Sequence, residues 1–166
     1  MNPDTDHFTL LRGLLVGRGV AALATLHDGR PFASMVPFAA TTVGGRLRLV
    51  VHVSGLASHT RDMQAAPEVC LLITAVESGG VPPQALPRVS IPAVAEFVPA
   101  DAPEHAVLKA AYLEKFPEAE PLFGFADFAV VALTPTAARF VAGFARAVTL
   151  SAEALPAALA NAGDAT

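Results

Sequence analysis

LRLVVHVSGLASHTRDMQAAPEVCLLI, residues 47–73, reads as strand, sharp turn, short helix and second strand. Leu47, Leu49, Val51 and Val53 alternate with Arg48, Val50 and His52, the period-two pattern of a half-buried strand. Ser54-Gly55 breaks the run, and Ser58 suits the N-cap of a helix that stops at Ala66-Pro67. A second apolar strand follows over 68–75. The mouth of the helix gathers Ser54, Ser58, His59, Thr60 and Arg61. Hydroxyls, free N–H groups and positive charge at a helix N-terminus suit a bound phosphate. An ordinary capped helix with solvated polar residues is the commoner outcome of such a pattern.

Working outward, residues 6–19 form an amphipathic helix with Leu10, Leu11, Leu14 and Leu15 as its stripe. A strand over 20–26 meets a return strand over 31–40 through the hairpin turn His27-Asp28-Gly29-Arg30. In that return strand Phe32, Ser34, Val36 and Phe38 share one face and Ala33, Met35 and Pro37 the other. Pro37 marks an edge or a bulge. Downstream lie a Gly/Pro loop over 77–87, a strand over 88–98 and a helix over 101–115 capped by Asp101. A loop over 118–125, strands over 127–133 and 137–150, and a short helix capped by Ser151 complete the chain. The strands come as a meander rather than alternating with helices, which predicts a mainly antiparallel barrel with appended helices in one domain spanning 1–166.

Composition narrows the function classes. The chain is 53% hydrophobic and 16% charged with mean hydropathy +0.50, so part of its apolar surface is expected at a subunit interface. A net charge of −4 with scattered basic residues argues against nucleic acid. No apolar run reaches membrane-span length, and the polar start MNPDTDHF does not read as a signal peptide; a cytoplasmic location is expected. The lone cysteine, Cys70, reads as a small core residue. GxGxxG, Walker and nucleophile-elbow motifs are absent, and the five histidines form no HxxxH or HExxH pair, so no metal site is expected.

Five segments, taken in order, carry a family likeness: ALATLHDGRPFASMVPFA (22–39), VVHVSGLASHTRDMQAAPEVCLLI (50–73), LPRVSIPAVAEF (86–97), YLEKFPEAEPLFGFADFAVVAL (112–133) and FVAGFARA (140–147). Together they resemble the FMN-binding split barrels related to pyridoxamine 5′-phosphate oxidase, and within that superfamily the barrel domain of haem-utilisation (HugZ-like) proteins. The resemblance spans about residues 6–150. It implies a six-stranded antiparallel split β-barrel that forms a homodimer, with FMN in two symmetric interfacial clefts. By the same resemblance, Ser34, Met35, Val36, Pro37 and Phe38 lie along the flavin ring and ribityl chain. His52, Val53 and Ser54 form the next strand's flavin-facing end, Ser58, His59, Thr60 and Arg61 hold the phosphate, and Arg88 reaches the ring edge. Phe144 and Arg146 belong to a segment near the flavin.

The chain also departs from the family pattern. The oxidases place Arg where Ser34 stands, Lys where Ala39 stands and an Arg-Lys pair near Ser58 and His59; their Trp-containing C-terminal substrate segment has no counterpart here. Vitamin B6 oxidation is therefore not expected. The resemblance implies a flavin-dependent oxidoreductase acting on an unknown small molecule. The alternative is a non-enzymatic dimer that stores or senses haem in the same cleft, with His52, His59 or His105 as candidate axial ligands.

Overall fold

The computed structural model describes residues 3–77, 79–143 and 147–160. Helix α1 (Pro3–Gly17) leads into strands β1 (Val20–His27), β2 (Arg30–Pro37), β3 (Ala39–Val43) and β4 (Arg46–Ser54). Helix α2 (Ser58–Ala65), β5 (Glu68–Thr74), β6 (Arg88–Val98) and helix α3 (His105–Lys115) follow. The last strands are β7 (Phe128–Pro135), β8 (Ala137–Val141) and β9 (Ala147–Ser151). All nine strands join one antiparallel sheet in the order β2-β1-β5-β6-β7-β4-β3, with β8 paired to β6 and β9 to β8. This is a split barrel, mostly β with flanking helices, whose outermost strands β2 and β3 do not pair with each other.

Nine strands stand where residue order predicts seven, for local reasons. Proline 37 has no N–H to donate, so the expected strand over 31–40 breaks into β2 and β3 at Phe38. The expected strand over 137–150 is likewise the hairpin β8-β9. Pro92, by contrast, sits inside β6 without breaking it. Its carbonyl accepts from Thr136 N at 2.9 Å, between the end of β7 and the start of β8, so its missing N–H falls where neither strand asks for it. The β1-β2 turn has Asp28 and Gly29 at φ 51° and 73°, the pair of positive values that matches hairpin twist.

Two helix starts differ from expectation: Ala57, not Ser58, is the N-cap of α2, and α3 begins at His105 after Glu104 rather than at Asp101. Ser151 does hold the N-cap position of the last helical segment, Ala152–Ala158, though that segment is 3-10 and its cap is made without a side-chain bond. The segment Pro117–Gly124, expected as loop, is also 3-10.

Register divides the side chains into two cores. The barrel interior takes Leu23, Val36, Leu49, Val51, Leu71, Ile91, Leu133 and Phe140, and Leu11, Leu14 and Leu15 of α1 pack against it. The opposite face of β4, β7 and β6 takes Val50, Val130, Ala132 and Val98, covered by Leu108 and Tyr112 of α3. Around Arg48 the second face becomes polar: its guanidinium donates to Glu96, Thr134 and Glu104.

The outer face of β2, β1 and β5 has no such cover among the described residues. Cross-strand pairing sets Met35, Ala22 and Leu72 in one row and Ala33, Ala24 and Cys70 in the next. Val20, Leu26, Met35 and Leu72 are between 40 and 66% exposed. Phe38, by contrast, is fully buried, and Lys115 Nζ lies 4.4 Å from its ring centroid. Phe38→Ala should therefore cost about 3–5 kcal/mol in urea unfolding, whereas Met35→Ala should change the stability of the isolated chain by less than about 0.5 kcal/mol.

Candidate functional site

The stretch from Ser34 to Phe38 is divided by the pleat. Ser34 and Val36 point to the barrel interior, Met35 and Pro37 outward. Val36 and Phe38 are 1% and 0% exposed and belong to the core of the single chain. Their sequence signal, apolar residues on one strand face, is the same for a core position and for a ligand wall. Val53 is buried in the same core.

The helix start and β2 do come together. Ser34 Oγ lies 3.2 Å from His59 Nδ1, so the free edge of the sheet meets the first turn of α2. Burial lowers the pKa of His59, only partly opposed by the nearby charge of Asp62, and the ring is neutral at pH 7. Ser58 is the first helical residue and half-buried.

Ser54, Thr60 and Arg61 bond to the chain itself. Thr60 is 1% exposed, and its hydroxyl donates to the Ser54 carbonyl at 2.7 Å. Ser54 Oγ donates to Asp127 at 2.7 Å and accepts from Leu56 N. The same turn is drawn in by Gly55, whose N–H donates to the Asp127 carbonyl at 2.6 Å; a Cβ there would sit 3.2 Å from that oxygen. Arg61 turns back to the Leu56 carbonyl at 3.0 Å. Together these residues build the turn that presents α2. Ser34, Ser58 and His59 remain as a neutral polar set where β2 meets α2.

His52 lies on the other face of the sheet. It pairs in register with Val130 on the α3 side, so its side chain points away from the barrel interior, where Ser34 points. Its ring stacks on Phe123 at 3.8 Å and 4°, with Phe128 and Tyr112 at 5.0 and 5.9 Å. Nδ1 is buried without a partner. Burial, then the charges of Lys109 and His105, push its pKa down to about 4. Arg88 faces outward on β6, three strands along the sheet from β2, and donates to the carbonyls of Gln84 and Leu86, both at 3.1 Å. Phe144 and Arg146 lie outside the described residues.

A polar group unmarked by any motif stands beside this site. Asp62 of α2 is 4% exposed and accepts from Thr25 Oγ1 at 2.8 Å and His27 Nδ1 at 2.8 Å, both on β1. Burial alone would raise its pKa; the bonds from His27 and Thr25 outweigh it and hold the carboxylate below the usual range. The only sequence clue is spacing: His59 and Asp62 are three apart on a helix and so share a face. No cluster of three His, Cys, Asp or Glu suited to a metal occurs among the described residues. None of their helices is long and apolar enough to cross a membrane.

Comparisons with known proteins agree with this architecture. A model of the pyridoxamine 5′-phosphate oxidase family matches residues 10–142. A chloroplastic haem oxygenase of Arabidopsis thaliana, HOZ, is 30% identical over 153 residues; these are 92% of this chain but only 44% of that protein's length. Among solved structures, a haem-binding protein from Mycobacterium smegmatis is 30% identical with a TM-score of 0.78, over 95% of this chain and 62% of that one. HutZ, a haem storage protein from Vibrio cholerae, is 27% identical with a TM-score of 0.65, over 81% of this chain and 89% of its own.

The His52 environment has a measurable consequence. A histidine whose folded pKa lies below its unfolded 6.5 contributes stability that is present above 6.5 and lost as pH falls toward about 4. The stability difference between wild type and His52→Phe, followed by thermal melts from pH 7.5 to 4, should therefore move steadily against the wild type as pH drops.

Proposed function

Because the chain belongs to the pyridoxamine 5′-phosphate oxidase family, we propose that it pairs with a second copy through the outer face of β2, β1 and β5 and holds haem in the cleft along the free edge of β2. The observation that carries this reading is the combination at that edge. An uncovered apolar face bearing Met35 and Leu72 adjoins a polar end whose donors, Ser34, Ser58 and His59, are neutral. A porphyrin is a large apolar plane carrying two separate carboxylates of single charge. Neutral hydrogen-bond donors suit such carboxylates better than a phosphate dianion, which calls for fixed cations. Relatives at 30 and 27% identity described as haem proteins support the same choice. When bound, haem supplies its iron for redox or oxygen chemistry. The chain's own contribution is to seat the plane on its apolar face, fix its acidic end at Ser34 and His59, and exclude water by pairing.

A second reading has one specific observation in its favour. The Ser34–His59 contact lies where the family resemblance puts a flavin phosphate, and an α2 start with free N–H groups adds to it. On that reading the protein is an FMN-dependent oxidoreductase of a small molecule.

Titration of the purified chain with haemin and, separately, with FMN, each followed by desalting, distinguishes the two. The haem reading expects a retained Soret band at one equivalent per chain and loss of the flavin spectrum; a retained flavin and free haemin would reverse the choice. Ser34→Ala and His59→Gln should each weaken retention roughly fivefold, the share of one hydrogen bond worth about 1 kcal/mol. Leu72→Lys should yield a monomer by light scattering and lose the ligand with it, because a buried unpaired ammonium opposes pairing.

A further inference from the structure

We infer that the His27–Asp62 contact is a protonation-controlled latch: it holds helix α2 on strand β1 and so sets how well the Ser34–His59 end of the cleft receives an anionic group. Its ligand side rests on the proposed cofactor site; the latch itself rests on the chain alone.

The mechanical link is short. Asp62 follows His59 by three residues, so the same helical face presents the imidazole to Ser34 and the carboxylate to β1. A carboxylate 4% exposed is costly unless its oxygens are satisfied. Here one oxygen takes the Thr25 hydroxyl and the other the His27 ring, both at 2.8 Å. Beyond these bonds, α2 is fastened by the buried Met63 and by Thr60 bonding back to the turn. The helix is only eight residues long, too short to hold its position by its own hydrogen bonds.

Of the two groups that satisfy Asp62, only His27 titrates near neutrality. Its side chain is 43% exposed, so it exchanges protons freely with water. The charged groups facing it are Asp62 and Arg61 from α2, Asp28 in the turn with an oxygen 3.8 Å from Nε2, and Arg30 opposite it in register. The hydrogen bond and charge of Asp62 raise its pKa above 6.5, aided by Asp28 and opposed by its partial burial and Arg61. A raised histidine contributes its full share below 6.5 and loses it as pH climbs through the folded value. The buried carboxylate then keeps only neutral donors. At the other end, protonating Asp62 below its ordinary 3.8 also undoes the pair. The latch is closed between these limits and opens as pH climbs through the raised His27 value.

The test is amide exchange of residues 58–65 in the full chain without ligand, expressed as protection factors from pH 5.5 to 9, for wild type, His27→Gln and His59→Gln. The latch predicts a severalfold loss of protection with rising pH in wild type and in His59→Gln, and a flat, uniformly lower protection in His27→Gln. A flat wild type would overturn it, and so would a step that survives in His27→Gln but vanishes in His59→Gln. Haemin retention over the same range, against the same variants, tests the link to the cleft: it should fall with the step in wild type and lose that step in His27→Gln. Retention that ignores pH would overturn the coupling. Failure of haemin to bind at any pH, with the exchange step intact, would instead reject the cofactor site and leave the latch standing.

Discussion

A sheet that is apolar on both faces must be covered twice, and most of this structure follows from that constraint. The inner face curls around one core, against which the leucines of α1 pack. The outer face of β4, β7 and β6 is covered by α3, which adds Leu108 and Tyr112 over Val50, Val130 and Ala132. Among the described residues nothing covers the outer face of β2, β1 and β5, where Val20, Leu26, Met35 and Leu72 are exposed. Exposed apolar side chains grouped on one face are of the kind that mark interaction surfaces.

The site sits where that uncovered face runs out, at the edge strand β2. Edge strands carry unpaired backbone groups, and here Pro31 and Pro37 bracket the edge and limit pairing with a stray strand. Ser34 on the inner side meets α2, and Met35 on the outer side belongs to the apolar face. A planar ligand with one acidic end would find both kinds of surface within a residue of each other.

Much of this was legible from residue order. The alternation in 47–53 marks β4, Asp28-Gly29 marks the hairpin, Ala66-Pro67 ends α2, and Arg88–Val98 spans β6 as expected. Period-two patterning works because a strand residue's face depends on its neighbours in sequence alone. Caps were less legible. Ser58 and Asp101 are good N-cap residues by type, yet Ala57 and Glu104 hold those positions; before α2 the turn is pinned by contacts of Ser54 and Gly55 with Asp127, far along the chain. The residues expected to grip an anion divided on the same ground: Thr60 and Arg61 satisfy carbonyls of that turn, and only Ser34 and His59 meet.

By itself the sequence determined the family, the mainly antiparallel sheet, the face on which each strand residue lies and the helix start near Ser34's eventual partner, all properties set by local spacing. Tertiary structure alone decided which face each strand turns to a neighbour. It put His52 among the rings of Phe123, Phe128 and Tyr112 rather than beside Ser34, and it brought Asp62 to Thr25 and His27 across more than thirty residues. Such contacts depend on which strand lies beside which and how a helix crosses them, and no short stretch of sequence contains that information.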